Sequence, residues 1–157
     1  MIIVEGPDGA GKSTLVQRLI DENPGLKLAP RACTSLGGPL RGDAMRKWLR
    51  DYSRMYGYIY DRHQCISGAV YDAIRADPPD ASFRRQLSSI FRDIYENAHI
   101  VYCRPPRHEI LKAVHTSDQM AGVTSKIDLI IDMYDSIMAN MVPHEVYDWT
   151  KDDLPYL

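Results

Sequence analysis

The chain has 157 residues, of which 45% are apolar and 25% are charged, which is an ordinary globular composition and about the length of one domain. A chain of this length can form a core without disulfide or metal staples, so the mini-protein classes are excluded. Nineteen basic and twenty-one acidic residues give a formal charge of −2, which disfavours duplex nucleic acid as a partner.

The first third of the chain alternates strand and helix patterns. Met1 to Val4 form a β-branched apolar run that predicts a buried strand, and Leu15 to Ile20 continue at helical spacing after a glycine-rich loop. A second strand is predicted at Leu26 to Pro30. A Gly/Pro-rich connection over 35–39 then leads to a helix that Asp43 is expected to cap.

The middle of the chain continues this alternation. Tyr56 to Tyr60 predict a third strand, and Ile66 to Ile74 predict the helix that follows it. The Asp/Pro cluster at 77–80 breaks that helix. Another helical pattern runs over Phe83 to Ile94, and Ile100 to Cys103 predict a fourth strand.

The last third predicts two more helices and a weak strand. A short helix passes through Ile110 to Val114, His115 to Gly122 are expected to form a loop, and Val123 to Met141 carry a long helical stripe. The fifth strand is predicted at Glu145 to Asp148. Strands alternating with helices predict a parallel sheet covered on both faces, the three-layer α/β class, in a single domain over 1–157.

A phosphate-binding loop is predicted between the first strand and the first helix. Gly6, Gly11, Lys12 and Ser13 satisfy the pattern G-x-x-x-x-G-K-[ST] in the strand-to-helix context that such a match requires. Glycines let consecutive backbone N–H groups face a phosphate, and the helix adds its positive dipole end. Lys12 is expected to reach the terminal phosphates, and the Ser13 hydroxyl to ligate Mg²⁺. The residues expected to hold the nucleotide are Gly6, Asp8, Gly9, Ala10, Gly11, Lys12, Ser13 and Thr14.

The loop by itself does not separate a kinase from a GTPase switch. A GTPase also needs D-x-x-G after its third strand, and no such sequence follows Asp61. Residues 150–153, TKDD, match the guanine-reading pattern [NT]-K-x-D, but a four-residue pattern with one wildcard is weak evidence. The GTPase alternative is therefore disfavoured.

Two motifs point to one family. Residues 4–14, VEGPDGAGKST, are similar to the loop E-G-x-D-G-x-G-K-[ST]-T, and residues 61–63, DRH, are similar to the signature D-R-[YH]. With these motifs the sequence resembles the thymidylate kinase family of P-loop kinases, including its compact bacteriophage forms. Weaker similarities over 31–39, 101–106 and 147–153 extend the resemblance to most of the chain.

The resemblance implies both a fold and an activity. The family fold is a three-layer P-loop fold with a five-stranded parallel sheet of order 2-3-1-4-5. The implied activity is transfer of the γ-phosphate of ATP, with Mg²⁺, to a deoxynucleoside monophosphate, with dTMP as the first candidate. Two alternatives stay open: a deoxynucleoside kinase, a group that tends to show E-R-S at 61–63, and a P-loop ATP-binding switch or assembly ATPase.

The resemblance also assigns roles at the strand ends. The embedded acid, Asp8, is expected to contact the sugar hydroxyl of the acceptor. Arg62 suits a bidentate phosphate contact that a lysine cannot reproduce. Asp61 closes an apolar strand and is expected to hold Mg²⁺ or to orient the acceptor. Arg31 resembles an acceptor-phosphate ligand, with a plain surface arginine as the alternative.

Two aromatic residues are candidates for stacking on the acceptor base. Trp48 and Tyr71 both fall on the apolar faces of predicted helices. Packing in the core is therefore the alternative for each of them.

The sequence departs from the family pattern in its supply of positive charge to the transferring phosphate. Family members provide a basic side chain from the loop or from an arginine-bearing lid. The loop here has glycine and alanine at those positions, and the candidate lid, at about 115–123, contains no arginine. We hypothesise that Arg104 and Arg107 substitute, with Lys126 as a poorer candidate.

Several further expectations concern partners and location. Three cysteines without C-x-x-C spacing, and the absence of a long apolar run or signal-like N-terminus, predict a cytoplasmic protein without a membrane span, in the host cytoplasm if a bacteriophage encodes it. Basic residues concentrated over 31–62 favour a small anionic substrate, with a solvated helix face as the alternative. The long helix over Val123 to Met141 leaves a homodimer open.

Overall fold

The computed structural model describes residues 1–34, 40–74, 81–116, 122–141, 143–151 and 154–155. Five parallel strands form one sheet in the order β2-β3-β1-β4-β5. The strands are β1 (Ile2–Glu5), β2 (Lys27–Leu28), β3 (Tyr58–Asp61), β4 (His99–Cys103) and β5 (Glu145–Tyr147).

Helices connect the strands and cover both faces of the sheet, which confirms the predicted three-layer class and the strand order 2-3-1-4-5. A short 3-10 helix, Trp149–Lys151, follows β5. The α-helices are α1 (Lys12–Glu22), α2 (Gly42–Tyr52), α3 (Gln64–Ile74), α4 (Ala81–Asn97), α5 (Arg107–Thr116) and α6 (Val123–Met141).

The central strand β1 determines where the site lies. Val4 pairs with Asp61 of β3 on one side and with Val101 of β4 on the other. Ile3 and Val4 are fully buried, as expected for a strand covered on both faces. The carboxyl ends of β1, β3 and β4 therefore meet at one edge of the sheet, and charged residues that follow these strands are brought together there.

Several predicted boundaries shift in the structure. The second strand is shorter than predicted, since Lys27–Leu28 is an exposed two-residue edge strand. The third begins at Tyr58, because Gly57 has φ of 78° and interrupts the extended backbone. Asp43 does not cap α2: Arg41 occupies the N-cap position, and Asp43 lies in the first turn, where its charge suits the helix dipole.

Some predictions fall wholly or partly outside the described residues. These are the connection at 35–39, the break at 77–80 and most of the candidate lid, of which 117–121 are not described. His115 and Thr116, predicted as loop, belong to the last turn of α5.

The three cysteines carry free thiols: Cys65 and Cys103 are buried, and Cys33 is partly buried. Among the described residues, no helix is long and apolar enough to cross a membrane.

Candidate active site

The phosphate loop is fitted tightly between β1, β4 and α5. Gly6, Gly9 and Gly11 all have positive φ, at 146°, 79° and 83°. A Cβ at Gly6 would lie 2.6 Å from the Cys103 carbonyl oxygen, and one at Gly9 would lie 2.9 Å from the Ile110 carbonyl oxygen. These positions need glycine both for backbone conformation and for close packing, so the loop shape is set by the fold.

Lys12 lies inside this loop. Its side chain is buried, and Nζ donates to the carbonyl oxygen of Pro7 at 2.5 Å. Burial, together with the charge of Arg62, lowers the pKa of Lys12 to about 8. The ammonium group is thus held within the loop by a single backbone acceptor that an incoming phosphate oxygen can replace.

Ser13 and Asp61 meet where β3 ends and α1 begins. The Ser13 Oγ donates to Asp61 Oδ2 at 2.7 Å, and Arg31 contacts the same carboxylate oxygen. A hydroxyl and a carboxylate are hard oxygen ligands of the kind that would hold a Mg²⁺ ion. Within the described residues, no group of three or more His, Cys, Asp or Glu side chains forms a metal cage.

Asp8, Arg62 and Tyr71 form a second polar cluster. Arg62 Nη2 donates to Asp8 Oδ1 at 2.7 Å, and the Tyr71 hydroxyl donates to Asp8 Oδ2. The Arg62 guanidinium lies 5.5 Å from the centre of the Tyr71 ring. Burial would raise the pKa of Asp8, but the charges of Arg62 and Lys12 bring it below its ordinary value. The loop acid is therefore an ionised group in this cluster.

Arg62 has two unusual features. Its φ is 71°, the only positive φ of a non-glycine residue among those described. Its Nε is buried and has no hydrogen-bond partner. Because buried polar groups are normally hydrogen-bonded, an orphan donor beside a phosphate loop points to an acceptor that a ligand supplies.

A buried carboxylate, that of Glu5, lies under the site and is not among the site residues predicted from the sequence. Glu5 is fully buried, and it accepts hydrogen bonds from the His63 backbone N–H at 2.6 Å and from the Tyr134 hydroxyl at 3.1 Å. Burial raises its pKa to about 7. The available signal was an acid that closes an apolar strand, but its partner Tyr134 lies far along the chain.

The two aromatic candidates have different environments. Trp48 is 3% exposed, and its Nε1 donates to the Pro30 carbonyl oxygen at 2.8 Å. Its ring also makes an edge contact with the buried ring of His63. These contacts favour the core-packing alternative for Trp48, whereas Tyr71 reaches Asp8 in the site.

The structure directs Arg104 and Arg107 toward α6. Arg104 makes a bidentate pair with Asp135 through bonds of 2.7 and 2.8 Å. Arg107 donates to Asp128 and to Asp132, each at 2.8 Å. Both guanidinium groups are therefore held on this helix.

A pocket of about 320 Å³ opens beside the loop on the side of β5. Trp149, just after β5, packs closely against the loop. A Cβ added at Gly11 would lie only 3.0 Å from the Trp149 Cδ1. This tryptophan is not among the site residues predicted from the sequence. The pocket is lined by Gly9, Gly11, Thr14, Leu15, Arg18, Tyr147 and Trp149.

Strand order, glycine loop and charged strand ends together define the fold of the P-loop kinases. No protein-family model matches the chain. The chain is similar to a guanylate kinase of Ruegeria pomeroyi, with 27% identity in a match that covers 68% of this chain. The matched part is 57% of that enzyme, so this chain spans little more than half the length of the curated relative.

Two solved structures share the fold. The YorR protein from Bacillus subtilis, in complex with phosphorylated GDP, has a TM-score of 0.71 and 22% identity, over 96% of this chain and 86% of its own. The deoxyadenosine kinase from M. mycoides, with dCMP and dCDP bound, has a TM-score of 0.57 and 16% identity, over 94% and 88%. At these identities the likeness establishes the fold.

Proposed function

We propose that the protein is a nucleotide kinase that transfers the γ-phosphate of ATP to a deoxynucleoside monophosphate, with dTMP as the first candidate acceptor. The observation that carries this proposal is the cluster of Asp8, Arg62 and Tyr71 beside the phosphate loop. It offers one ionised acid for a sugar hydroxyl and one guanidinium with an orphan donor for a phosphate. An acceptor that carries both groups fits this pairing better than a free nucleoside.

The loop is the proposed site of the donor triphosphate. Lys12 would exchange its bond to the Pro7 carbonyl for the terminal phosphates, and Ser13 with Asp61 would hold Mg²⁺. When bound, Mg²⁺ neutralises charge on the donor phosphates. The pocket against Trp149 is the proposed place of the donor base, since aromatic rings stack readily on nucleobases.

Phosphoryl transfer requires the protein to position the donor and acceptor phosphates and to neutralise their negative charge. An oxygen of the acceptor phosphate attacks the γ-phosphorus, the bond from that phosphorus to the bridging oxygen breaks, and ADP leaves. The attacking oxygen is already ionised at neutral pH, so Arg62 and Arg31 are needed for alignment and charge rather than as bases. Arg31, now on Asp61, is the proposed second ligand of the acceptor phosphate.

Arg107 is the better proposed source of the missing lid charge. Its ion pairs with Asp128 and Asp132 are exposed, and exposed pairs are weak, so releasing the side chain toward the donor costs little. Its helix α5 also packs against the loop at Gly9. Arg104 is tied more firmly, by a bidentate pair, and Lys126 donates to the Ile74 carbonyl on α3.

A guanine monophosphate is the second candidate acceptor. The curated relative is a guanylate kinase, and YorR was solved with phosphorylated GDP. These names support a nucleotide acceptor in general. They also make a guanine monophosphate a specific alternative to dTMP. The proposed location remains the cytoplasm, where such small substrates and ATP are found.

An acceptor panel tests the proposal. ADP release from Mg·ATP is measured with dTMP, dGMP, GMP, dAMP, dCMP and the matching nucleosides, and products are identified by chromatography. We expect a diphosphate product from a monophosphate and no stimulation by nucleosides. A monophosphate product formed from a nucleoside selects the deoxynucleoside kinase alternative, and ADP release that ignores every acceptor selects the switch or assembly ATPase.

A further inference from the structure

The backbone of Arg62 is anchored to β1 on both sides. The Arg62 N–H donates to the Val4 carbonyl oxygen at 2.9 Å, and the next N–H, that of His63, donates to Glu5 Oε1 at 2.6 Å. A non-glycine residue in the left-handed region is strained and persists where its surroundings hold it. These two hydrogen bonds hold the Arg62 backbone in this conformation, and the acceptor of one of them is the Glu5 side chain.

Glu5 is placed to act on the backbone and not on a ligand. Its carboxylate is fully buried, with one oxygen taken by the His63 N–H and the other by the Tyr134 hydroxyl. Both oxygens are thus used by protein groups. A buried carboxylate is costly unless it is hydrogen-bonded, so these bonds fix its position closely.

The residue after Arg62 is pinned as well. His63 is buried and uncharged, because burial lowers its pKa to about 4. Its ring Nε2 lies 3.0 Å from the Ser53 carbonyl oxygen, and its Nδ1 accepts from the Cys65 N–H at 3.2 Å. With the following residue immobilised, the peptide bonded to Glu5 determines the direction in which the Arg62 side chain leaves the strand.

We propose that Glu5 is a positioning residue for phosphoryl transfer, which fixes the peptide between Arg62 and His63 and thereby aims the Arg62 guanidinium at Asp8 and the acceptor phosphate. This inference rests on the proposed function. It predicts that Glu5 affects the acceptor side of the reaction and acts through Arg62.

Three variants separate the parts of this role. Glu5→Ala removes the acceptor of the His63 N–H. Glu5→Gln keeps an oxygen acceptor and removes the charge. Tyr134→Phe removes the bond to the second oxygen alone. If Glu5→Ala does not fold, Glu5→Met fills a similar volume without an acceptor and replaces it.

The kinetic test is a double-mutant cycle. We expect Glu5→Ala to lower kcat/KM for the acceptor about 10²-fold, since a displacement of about 1 Å can have that effect. The affinity for Mg·ATP should stay within about threefold, and Glu5→Gln should recover most of the loss. In an Arg62→Ala background, Glu5→Ala should add less than about threefold, because the effect passes through Arg62.

A second readout does not depend on catalysis. The pKa of Asp8, which burial would raise and the charge of Arg62 lowers, is measured in the nucleotide-free protein by carbon NMR. Asp8 titrates below its ordinary pKa, in a range where Glu5, with its pKa of about 7, is already protonated, so loss of the Glu5 side chain has no charge effect of its own on this pKa. A rise in Glu5→Ala therefore reports displacement of Arg62, while Glu5→Gln and Tyr134→Phe should show no rise.

The outcomes are distinguishable. An unchanged or lowered pKa of Asp8 in folded Glu5→Ala overturns the inference. So does a double variant, Glu5→Ala with Arg62→Ala, in which Glu5→Ala lowers kcat/KM for the acceptor as much as it does in the wild-type protein. If the wild-type protein transfers no phosphate to any acceptor, the proposed function fails, and the titration of Asp8 still decides whether Glu5 holds Arg62 in place.

Discussion

Arginines lie on both sides of the phosphate loop, but the two sides pair them differently. On the β3 side, Arg62 pairs with Asp8 of the loop itself, and their side chains are only 26% and 12% exposed. On the β4 side, Arg107 pairs with Asp128 and Asp132 of α6, where the acids are 66% and 61% exposed. Partly buried pairs are costly to break, whereas exposed ones are worth little. The Arg62–Asp8 pair on the β3 side is therefore firmly formed, whereas Arg107 on the β4 side can rearrange.

Lys12 lies between the two sides, and its loss should have the largest effect. Lys12→Ala is expected to lower kcat about 10³-fold, because it removes the charge at the centre of the loop. The measurement is the initial rate of diphosphate formation. Lys112→Ala, an exposed lysine on α5, is the matched control and should leave the rate unchanged. Equal activity of the two variants would show that Lys12 takes no part in the reaction.

Arg62 should come next and should not tolerate lysine. We expect Arg62→Ala to lower kcat/KM for the acceptor about 10²-fold, with Arg62→Lys little better, since an ammonium cannot reproduce the guanidinium fork. Acceptor saturation curves at fixed Mg·ATP check this, with Arg85→Ala as an exposed control on α4. Full activity of Arg62→Lys would show that simple charge suffices there.

Substitutions on the β4 side should have smaller effects, on the rate for Arg107 and on stability for Arg104. Arg107→Ala is expected to lower kcat about tenfold, below what a preformed arginine finger contributes, because its charge must be moved to the donor. Arg104→Ala should instead act on stability, by about 1 kcal/mol, or about 3 °C in Tm. Rates and melting curves of the two variants test this division. If both variants keep their rate within about threefold, neither arginine replaces the lid residue.

A pH titration should give the smallest effect. Lys12 is charged below its pKa of about 8, so the affinity for Mg·ATP should fall as pH rises through this value. Between pH 7 and 8.5 the charged fraction falls about fourfold, which sets the expected weakening. Calorimetry at several pH values measures it. Lys12→Arg stays charged over this range and should lose the dependence; a dependence that persists there belongs to another group.

Local patterns explain which parts of the fold and site were predictable. The phosphate loop follows from residues adjacent in the chain, and Asp61 and Arg62 follow from their position at the end of an apolar strand. The Asp43 cap was wrong because a two-residue shift at a helix start, here to Arg41, leaves little trace in the sequence. The role of Trp48 could not be decided from the sequence, because the residue pattern of an apolar helix face is the same whether the face packs in the core or lines a pocket.

Partners distant in sequence could not be predicted. Tyr134 reaches Glu5 from a position 129 residues further along the chain, and Arg104 finds Asp135 across 31 residues. No pattern within either element specifies these pairs. They depend on how α6 lies across the ends of β1 and β4, which is a property of the packed molecule.

The most direct test of the proposed function is calorimetric titration of Mg·ATP into the wild-type protein, Lys12→Ala and Arg62→Ala. We predict magnesium-dependent binding to the wild-type protein, its loss in Lys12→Ala, and its retention in Arg62→Ala, which should instead bind the acceptor monophosphate more weakly. Absence of binding to the wild-type protein, or equal binding to Lys12→Ala, would contradict it.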